Sequence, residues 1–226
     1  MLINFLIGAI GFVVYIKKKK PSNSSSLWIK FAFYFVIVFG MFFLIRFSGK
    51  YLTAIFSLLI IWGIYEIFKI TFPKYFLLFI STIVFIVLGY FFIVFSILKW
   101  EIILWVYIVV VTFDGFCQIV GQLFGKNNLI PKISPNKTVE GLIGGFVLTF
   151  ISSYFFRNDF ENYYLIVFAL MITSLLGDIL ASYLKRLVKV KDYSKLIPGH
   201  GGILDRFDSF IFTGALVGLY FQIFNI

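Results

Sequence analysis

Asp205 and Asp208 lie three residues apart where the last apolar run of the chain begins, directly after a basic, glycine-rich segment. On a helix that spacing puts both carboxylates on one face, one turn apart. The segment KDYSKLIPGHGGILDRFD, Lys191 to Asp208, also holds the single histidine of the chain, His200, between Gly199 and Gly201. Carboxylates clustered in a pocket repel one another unless a cation joins them. Oxygen donors without a cysteine or histidine cluster suit Mg2+, which takes few carboxylates and completes its shell with substrate phosphates. Lys185, Arg186, Lys189, Lys191 and Lys195 can meet phosphate charge, and the amides around Gly199, Gly201 and Gly202 can form an anion nest. A plain turn between two membrane helices is the simpler reading. It accounts for the lysines well and for the glycines around His200 less well.

Two further carboxylates lie inside apolar runs, where a charge is costly and usually functional. Asp114 is followed at helical spacing by Cys117, Gln118, Gly121, Gln122 and Gly125, a polar, small face on an otherwise apolar helix. Asp178 shares its face with Ser174, Ser182 and Lys185. One aspartate alone can stitch helices together through hydrogen bonds. Four of them towards the same ends of their helices are explained together by one shared cavity. Upstream, GKNNLIPKISPNKTVEGLIGG places Lys137 before Gly141, Gly144 and Gly145. Those glycines read as helix-packing positions. The phosphate-binding pattern GxxxxGK[ST] is absent.

The elements that carry these residues follow from composition. The 226 residues are 61% hydrophobic and 13% charged, whereas soluble domains are about half apolar and about a quarter charged. Runs approaching the roughly 20 residues of a membrane span recur along the chain. The expected fold is all-α, a polytopic helical membrane protein with about eight spans, at roughly 1–16, 27–47, 51–70, 75–97, 101–124, 139–156, 162–186 and 203–225. The runs are continuous rather than alternating, which excludes a transmembrane β-barrel. The first run reads as a short span stopped by Lys17 to Lys20, not as a signal peptide. Cys117 is the only cysteine, which excludes an intrachain disulfide and a cysteine-based metal site. The whole is expected to be one integral domain, with 101–226 catalytic and 1–100 forming membrane helices of no assigned role.

Charge placement sets the orientation. Placing the first, third, fifth and seventh loops in the cytoplasm puts 16 of the 20 basic residues there, and leaves only Arg46, Lys50, Lys99 and Arg157 on the other side. The net charge of +10 therefore reflects topology and anionic lipid or phosphate partners, and not nucleic acid.

The stretch from Ser182 to Asp208, SYLKRLVKVKDYSKLIPGHGGILDRFD, resembles the signature of the phosphatidate cytidylyltransferase (CDP-diacylglycerol synthase) family. The matching positions are Ser182, Lys185, Arg186, Lys191, Asp192, His200, Gly201, Gly202, Asp205, Arg206 and Asp208. The segment FDGFCQIVGQLFGKNNLIPKISPNKTVEG is also similar to a family loop, although Phe116 and Cys117 stand where a small residue and an aromatic are more usual. The resemblance covers about 104–215.

The resemblance implies a membrane enzyme that joins CTP and phosphatidic acid into CDP-diacylglycerol and pyrophosphate. It implies Mg2+ and a second cation such as K+. A homodimer, a bacterial cell membrane and a site facing the cytoplasm complete the expectation. Asp178, Asp205, Asp208 and Asp114 are the metal candidates. Lys185, Arg186, Lys191 and Arg206 are candidates to hold phosphates, with Lys137 also contacting substrate. Ser182 and the amides of Gly199, Gly201 and Gly202 would orient oxygens, and His200 and Asp192 complete the candidate catalytic set. A CTP-dependent lipid-alcohol kinase would use similar groups, with His200 or Asp192 as the base that a hydroxyl attacker needs. An ion-coupled transporter fits less well, since its site would lie near the midplane between repeats.

The charge bias predicts that single cysteines replacing Lys132, Lys195 and Asp159, in a Cys117→Ser background, react differently with an impermeant thiol reagent in intact cells. Only the cysteine at 159 should be labelled from outside. Labelling at 195 would overturn the orientation.

Overall fold

The computed structural model describes residues 9–11, 13–14, 24–72, 74–154, 162–197 and 201–224. Seven named α-helices are described among them: α1 (Ser24–Phe47), α2 (Leu52–Thr71), α3 (Tyr75–Ser96), α4 (Trp100–Phe124), α5 (Val139–Tyr154), α6 (Tyr163–Leu187) and α7 (Leu204–Phe224). They match seven of the eight expected runs to within three residues. Of the first run, residues 9–11 and 13–14 are helical, and the remainder, with Lys17 to Lys20, lies outside the described residues. Among the described residues Pro131 and Pro135 both fall between α4 and α5, as expected for a residue that removes a ladder donor and clashes with the preceding turn.

The chain is a polytopic membrane protein. Five segments are long and apolar enough to cross a bilayer: Gly49–Thr71, which adds a 3-10 turn to α2, and α3, α4, α6 and α7. The apolar parts of α1 (Phe31–Phe47) and of α5 (Val139–Tyr154) are shorter. At 16 residues, α5 reaches only about 24 Å at 1.5 Å per residue.

One element departs from the expectation of helices and loops alone. Between α4 and α5 the chain forms an antiparallel hairpin, β1 (Asn128–Ile130) and β2 (Ser134–Thr138), in register Asn128 to Thr138 and Ile130 to Ser134. The Ile133 amide closes its turn by donating to the Ile130 carbonyl at 3.1 Å. At its base, the amides of Lys126 and Asn127 and the Asn127 side chain donate to the Glu140 carboxylate, the last at 2.7 Å. Thr138 Oγ1 accepts the Gly141 amide at 3.1 Å and so caps α5.

Small residues set how closely the helices approach. A Cβ on Gly145 would stand 2.2 Å from Cys117 Sγ, and one on Gly144 2.6 Å from Val120 Cγ1. The glycines of α5 thus pack it tightly on α4, as their spacing suggested. On α7 a Cβ at Gly218 would stand 2.1 Å from the Phe91 carbonyl oxygen of α3. Between these contacts lies an aromatic centre. Phe56 of α2 stacks on Phe92 of α3 with centroids 4.5 Å apart, and Phe210 of α7 meets both edge-on. Tyr107 of α4 packs edge-on against Phe210 and donates to the Val38 carbonyl of α1 at 3.0 Å.

The ends of the helices segregate. Lys74, between α2 and α3, donates to the Leu187 carbonyl at the C-terminus of α6 at 2.5 Å, satisfying an end group that the helix cannot pair itself. This contact gathers the C-termini of α2 and α6 with the N-termini of α3 and α7, and the hairpin joins α4 to α5 at the same end. At the other end, Arg46 lies 4.1 Å over the Trp100 ring, and Ser96 donates to Thr53 at 3.1 Å.

Gly218→Ala should lower the melting temperature of the detergent-solubilised protein, because overpacking against backbone costs about 1–3 kcal/mol. Gly40→Ala, where a Cβ would meet nothing within 4 Å, should leave it unchanged. Equal melting temperatures for both variants would mean that α3 and α7 do not touch at Phe91.

Candidate active site

Three carboxylates from three helices converge at the hairpin end. Asp114 comes from α4, Asp178 from α6 and Asp208 from α7, and the charges of all three act on one another. All are half-buried. Ser174 Oγ donates to Asp114 Oδ1 at 3.0 Å, Ser182 Oγ to Asp178 Oδ1 at 3.3 Å, and the Ser209 amide to Asp208 Oδ1 at 2.8 Å. One direct counter-ion is supplied from outside the bundle. Lys137, on β2, places Nζ 2.5 Å from Asp178 Oδ2. The hairpin missed by the sequence reading is therefore what delivers Lys137.

Asp205 is placed differently from its neighbour one turn on. It is 9% exposed and its acceptors are occupied. Lys185 Nζ meets Oδ1 at 2.6 Å, and the amides of Tyr193 and Gly202 each donate to Oδ2 at 2.8 Å. Lys185 is also buried, at 7% exposure, and lies 4.9 Å over the Tyr193 ring. Arg186 is similarly engaged: Nε donates to the Ile133 carbonyl of the hairpin turn and Nη1 to the Val190 carbonyl, both at 3.0 Å. Lys191, Asp192 and Arg206 are exposed.

The glycine loop is held by acceptors inside the protein. Gly201 adopts φ +86°, a left-handed conformation natural to glycine, and its amide donates to the Ile197 carbonyl at 3.2 Å. Gly202 donates to Asp205 as above. The amides of Ile203 and Leu204 donate to Glu66 at 3.2 and 2.8 Å. Of the amides expected to form an anion nest, that of Gly201 meets a backbone carbonyl and that of Gly202 meets Asp205, while the amides of Ile203 and Leu204 are taken by Glu66. Pro198, Gly199 and His200 lie outside the described residues.

Glu66 has no counterpart in the sequence reading, which left residues 1–100 without a role. It is fully buried on α2. The signal was available: Glu66 is the only acidic residue among the first hundred, and a lone carboxylate in an apolar span marks a functional position. Tyr193 sits among these groups. Burial first, then the charges of Asp208, Asp205, Glu66 and Asp178, hold its hydroxyl well above the ordinary phenol range. It stays neutral and anchors the loop on α6, donating to the Ala181 carbonyl at 3.4 Å.

Half-buried carboxylates with a lysine among them, towards one end of a helical bundle, suit the handling of phosphates through a cation. The sequence model of the cytidylyltransferase family matches residues 6–224. The chain belongs to the cytidylyltransferase family. Proteins named phosphatidate cytidylyltransferase are among its relatives. That of Staphylococcus haemolyticus is 45% identical over 123 residues, covering 52% of this chain and 47% of the relative. That of Bacillus subtilis is 40% identical over 124 residues, covering 52% and 46%. The chain therefore spans about half the length of the curated relatives it matches.

A nucleotidyltransferase of this family implies a divalent cation. The donors fit a hard one, being carboxylate oxygens with serine hydroxyls beside them. Among the described residues no three acidic, cysteine or histidine side chains form a group able to hold a metal. A cation would accordingly take one or two carboxylates of the Asp114, Asp178 and Asp208 set and complete its shell with phosphate and water, the usual arrangement for Mg2+.

Asp205→Asn should destabilise the fold by about 3–5 kcal/mol, because it leaves the buried Lys185 charge without its partner. The fall should appear as a lower melting temperature in detergent. Adding Lys185→Met should recover part of it. A single variant as stable as the wild type would show that the pair does not hold the loop.

Proposed function

We propose that this cytidylyltransferase-family protein transfers a cytidylyl group from CTP to phosphatidic acid, giving CDP-diacylglycerol and pyrophosphate. The convergence of Asp114, Asp178 and Asp208, with Lys137 as the direct ionic partner of Asp178, carries the reading, with the names of the relatives in support. A phosphatidate headgroup lies at the membrane surface, where these residues gather. The positive-inside bias supports a site facing the cytoplasm, in the cell membrane of a bacterium, where CTP is available.

The attacking group is a phosphate oxygen of the lipid and is already an anion. It forms a bond to the α-phosphorus of CTP as the bond to the bridging oxygen of the pyrophosphate breaks. No proton has to be removed, so the protein contributes alignment and charge stabilisation. Lys191 and Arg206, both exposed, would hold phosphates. Lys137 would exchange its contact with Asp178 for a phosphate oxygen when substrate arrives. One or two of Asp178, Asp208 and Asp114 would hold Mg2+, which when bound would neutralise developing charge on the leaving pyrophosphate. Asp205, with its oxygens engaged by Lys185 and two amides, would keep the loop in place beside them. Ser182 would orient Asp178, and His200 would donate to a phosphate oxygen.

Purified protein supplied with phosphatidic acid, CTP and Mg2+ should release pyrophosphate and form CDP-diacylglycerol in equal amounts. Asp178→Asn and Asp208→Asn should each lower kcat by about 100-fold or more, a loss in the range of a removed charge-stabilising group. Release of CDP with a lipid-alcohol acceptor, and no pyrophosphate, would replace this reading with a kinase.

A further inference from the structure

We propose that Glu66 is a positioning residue for the reaction, a carboxylate sent from α2 to fix the backbone that leads into the acidic site. The inference rests on the function proposed above. Glu66 Oε1 accepts Ser194 Oγ at 2.7 Å and the Ile203 amide at 3.2 Å, and Oε2 accepts the Leu204 amide at 2.8 Å. It thus grips the loop at two points, at Ser194, seven residues after the end of α6, and at residues 203 and 204 where it becomes α7. Leu204 is the first residue of α7, so the carboxylate also faces the positive end of a helix dipole, where negative charge is favoured.

The fit is close enough to dictate a neighbouring residue. A Cβ on Gly202 would stand 2.4 Å from Glu66 Oε1. Glycine at 202 is therefore required by the carboxylate. Asp205 holds the same loop from the opposite side through Tyr193 and Gly202. Between them the two carboxylates fix residues 193 and 194 and residues 202 to 204. Asp208 follows one turn later on α7, and Tyr193 carries Lys185 against its ring. Moving this backbone would move Asp208 relative to Asp178. Alignment errors of that kind act on the transition state more than on ground-state binding.

Glu66→Gln replaces one acceptor oxygen by an N–H donor, which must face either Leu204 or the Ser194 and Ile203 pair. We expect kcat to fall about 10-fold or more while KM for CTP stays within about threefold, a split that loss of overall stability would not give. Hydrogen exchange should rise at amides 203 and 204 and across the 193–204 loop, and stay at wild-type levels in α3, α4 and α5. Ser194→Ala removes one of the three donors without touching α2 and should give the same pattern more weakly, about threefold in kcat. A Glu66→Gln protein with kcat within twofold of wild type would overturn the proposal. If Glu66→Gln fails to fold or exchanges faster throughout, Ser194→Ala decides: reduced kcat with local exchange supports positioning, and wild-type behaviour overturns it. Should the wild-type protein form no CDP-diacylglycerol, the proposed function fails, while the exchange data still report whether Glu66 holds the loop.

Discussion

The ion pair between Lys185 and Asp205 is the contact on which the rest of the site depends. Both side chains are nearly closed off from solvent, at 9% and 2% side-chain exposure. Charges so placed are tolerated only when paired and hydrogen-bonded. Asp205 meets that condition by accepting two loop amides as well as the lysine. The pair joins the last turn of α6 to the first turn of α7 and folds the intervening loop back on itself. The carboxylate at 208 gains its place near Asp178 and Asp114 because residue 205 is anchored one turn before it.

The two kinds of acidic residue in this region are separated by how far their oxygens are satisfied. Glu66 and Asp205 are buried and each accepts three donors from the protein. Asp114, Asp178 and Asp208 are half-buried and lie within reach of one another's charge, with Lys137 as the direct ionic partner of one of them. The first kind holds backbone. The second kind retains capacity for a cation and for the phosphates it would accompany. Lys137 reaches the cluster from a hairpin that Arg186 and Glu140 fasten to the bundle.

Helices α2 and α3 are built into this arrangement. Phe56 and Phe92 pack on Phe210, which follows Asp208 by two residues on α7. Such aromatic contacts fix side-chain geometry beyond the area they bury. Glu66 extends the same contact from α2 to the loop, and Lys74 caps α6 from the α2–α3 connection. Helices α2 and α3 and their connection thus brace the site, while α4 supplies Asp114 and the hairpin follows it.

The sequence by itself determined the all-α membrane fold, because length and hydropathy of a run decide whether its backbone must pair internally in a bilayer. It marked Asp114, Asp178 and Asp208 as costly residues, and the 27-residue signature from Ser182 to Asp208 pointed to the family. It placed the helix-packing glycines of α5 as well. It did not separate Asp205 from Asp208, since an i, i+3 spacing says which face a carboxylate shares and not which donors it meets. Nor did it show that the amides of Gly202, Ile203 and Leu204 are taken by Asp205 and Glu66. Those partners come from tertiary contacts, Glu66 lying 138 positions from Leu204. The hairpin was missed because three- and five-residue strands are too short for periodicity to register. Only the packing of α2, α6 and α7 decided which carboxylates hold the backbone and which are left to meet a substrate.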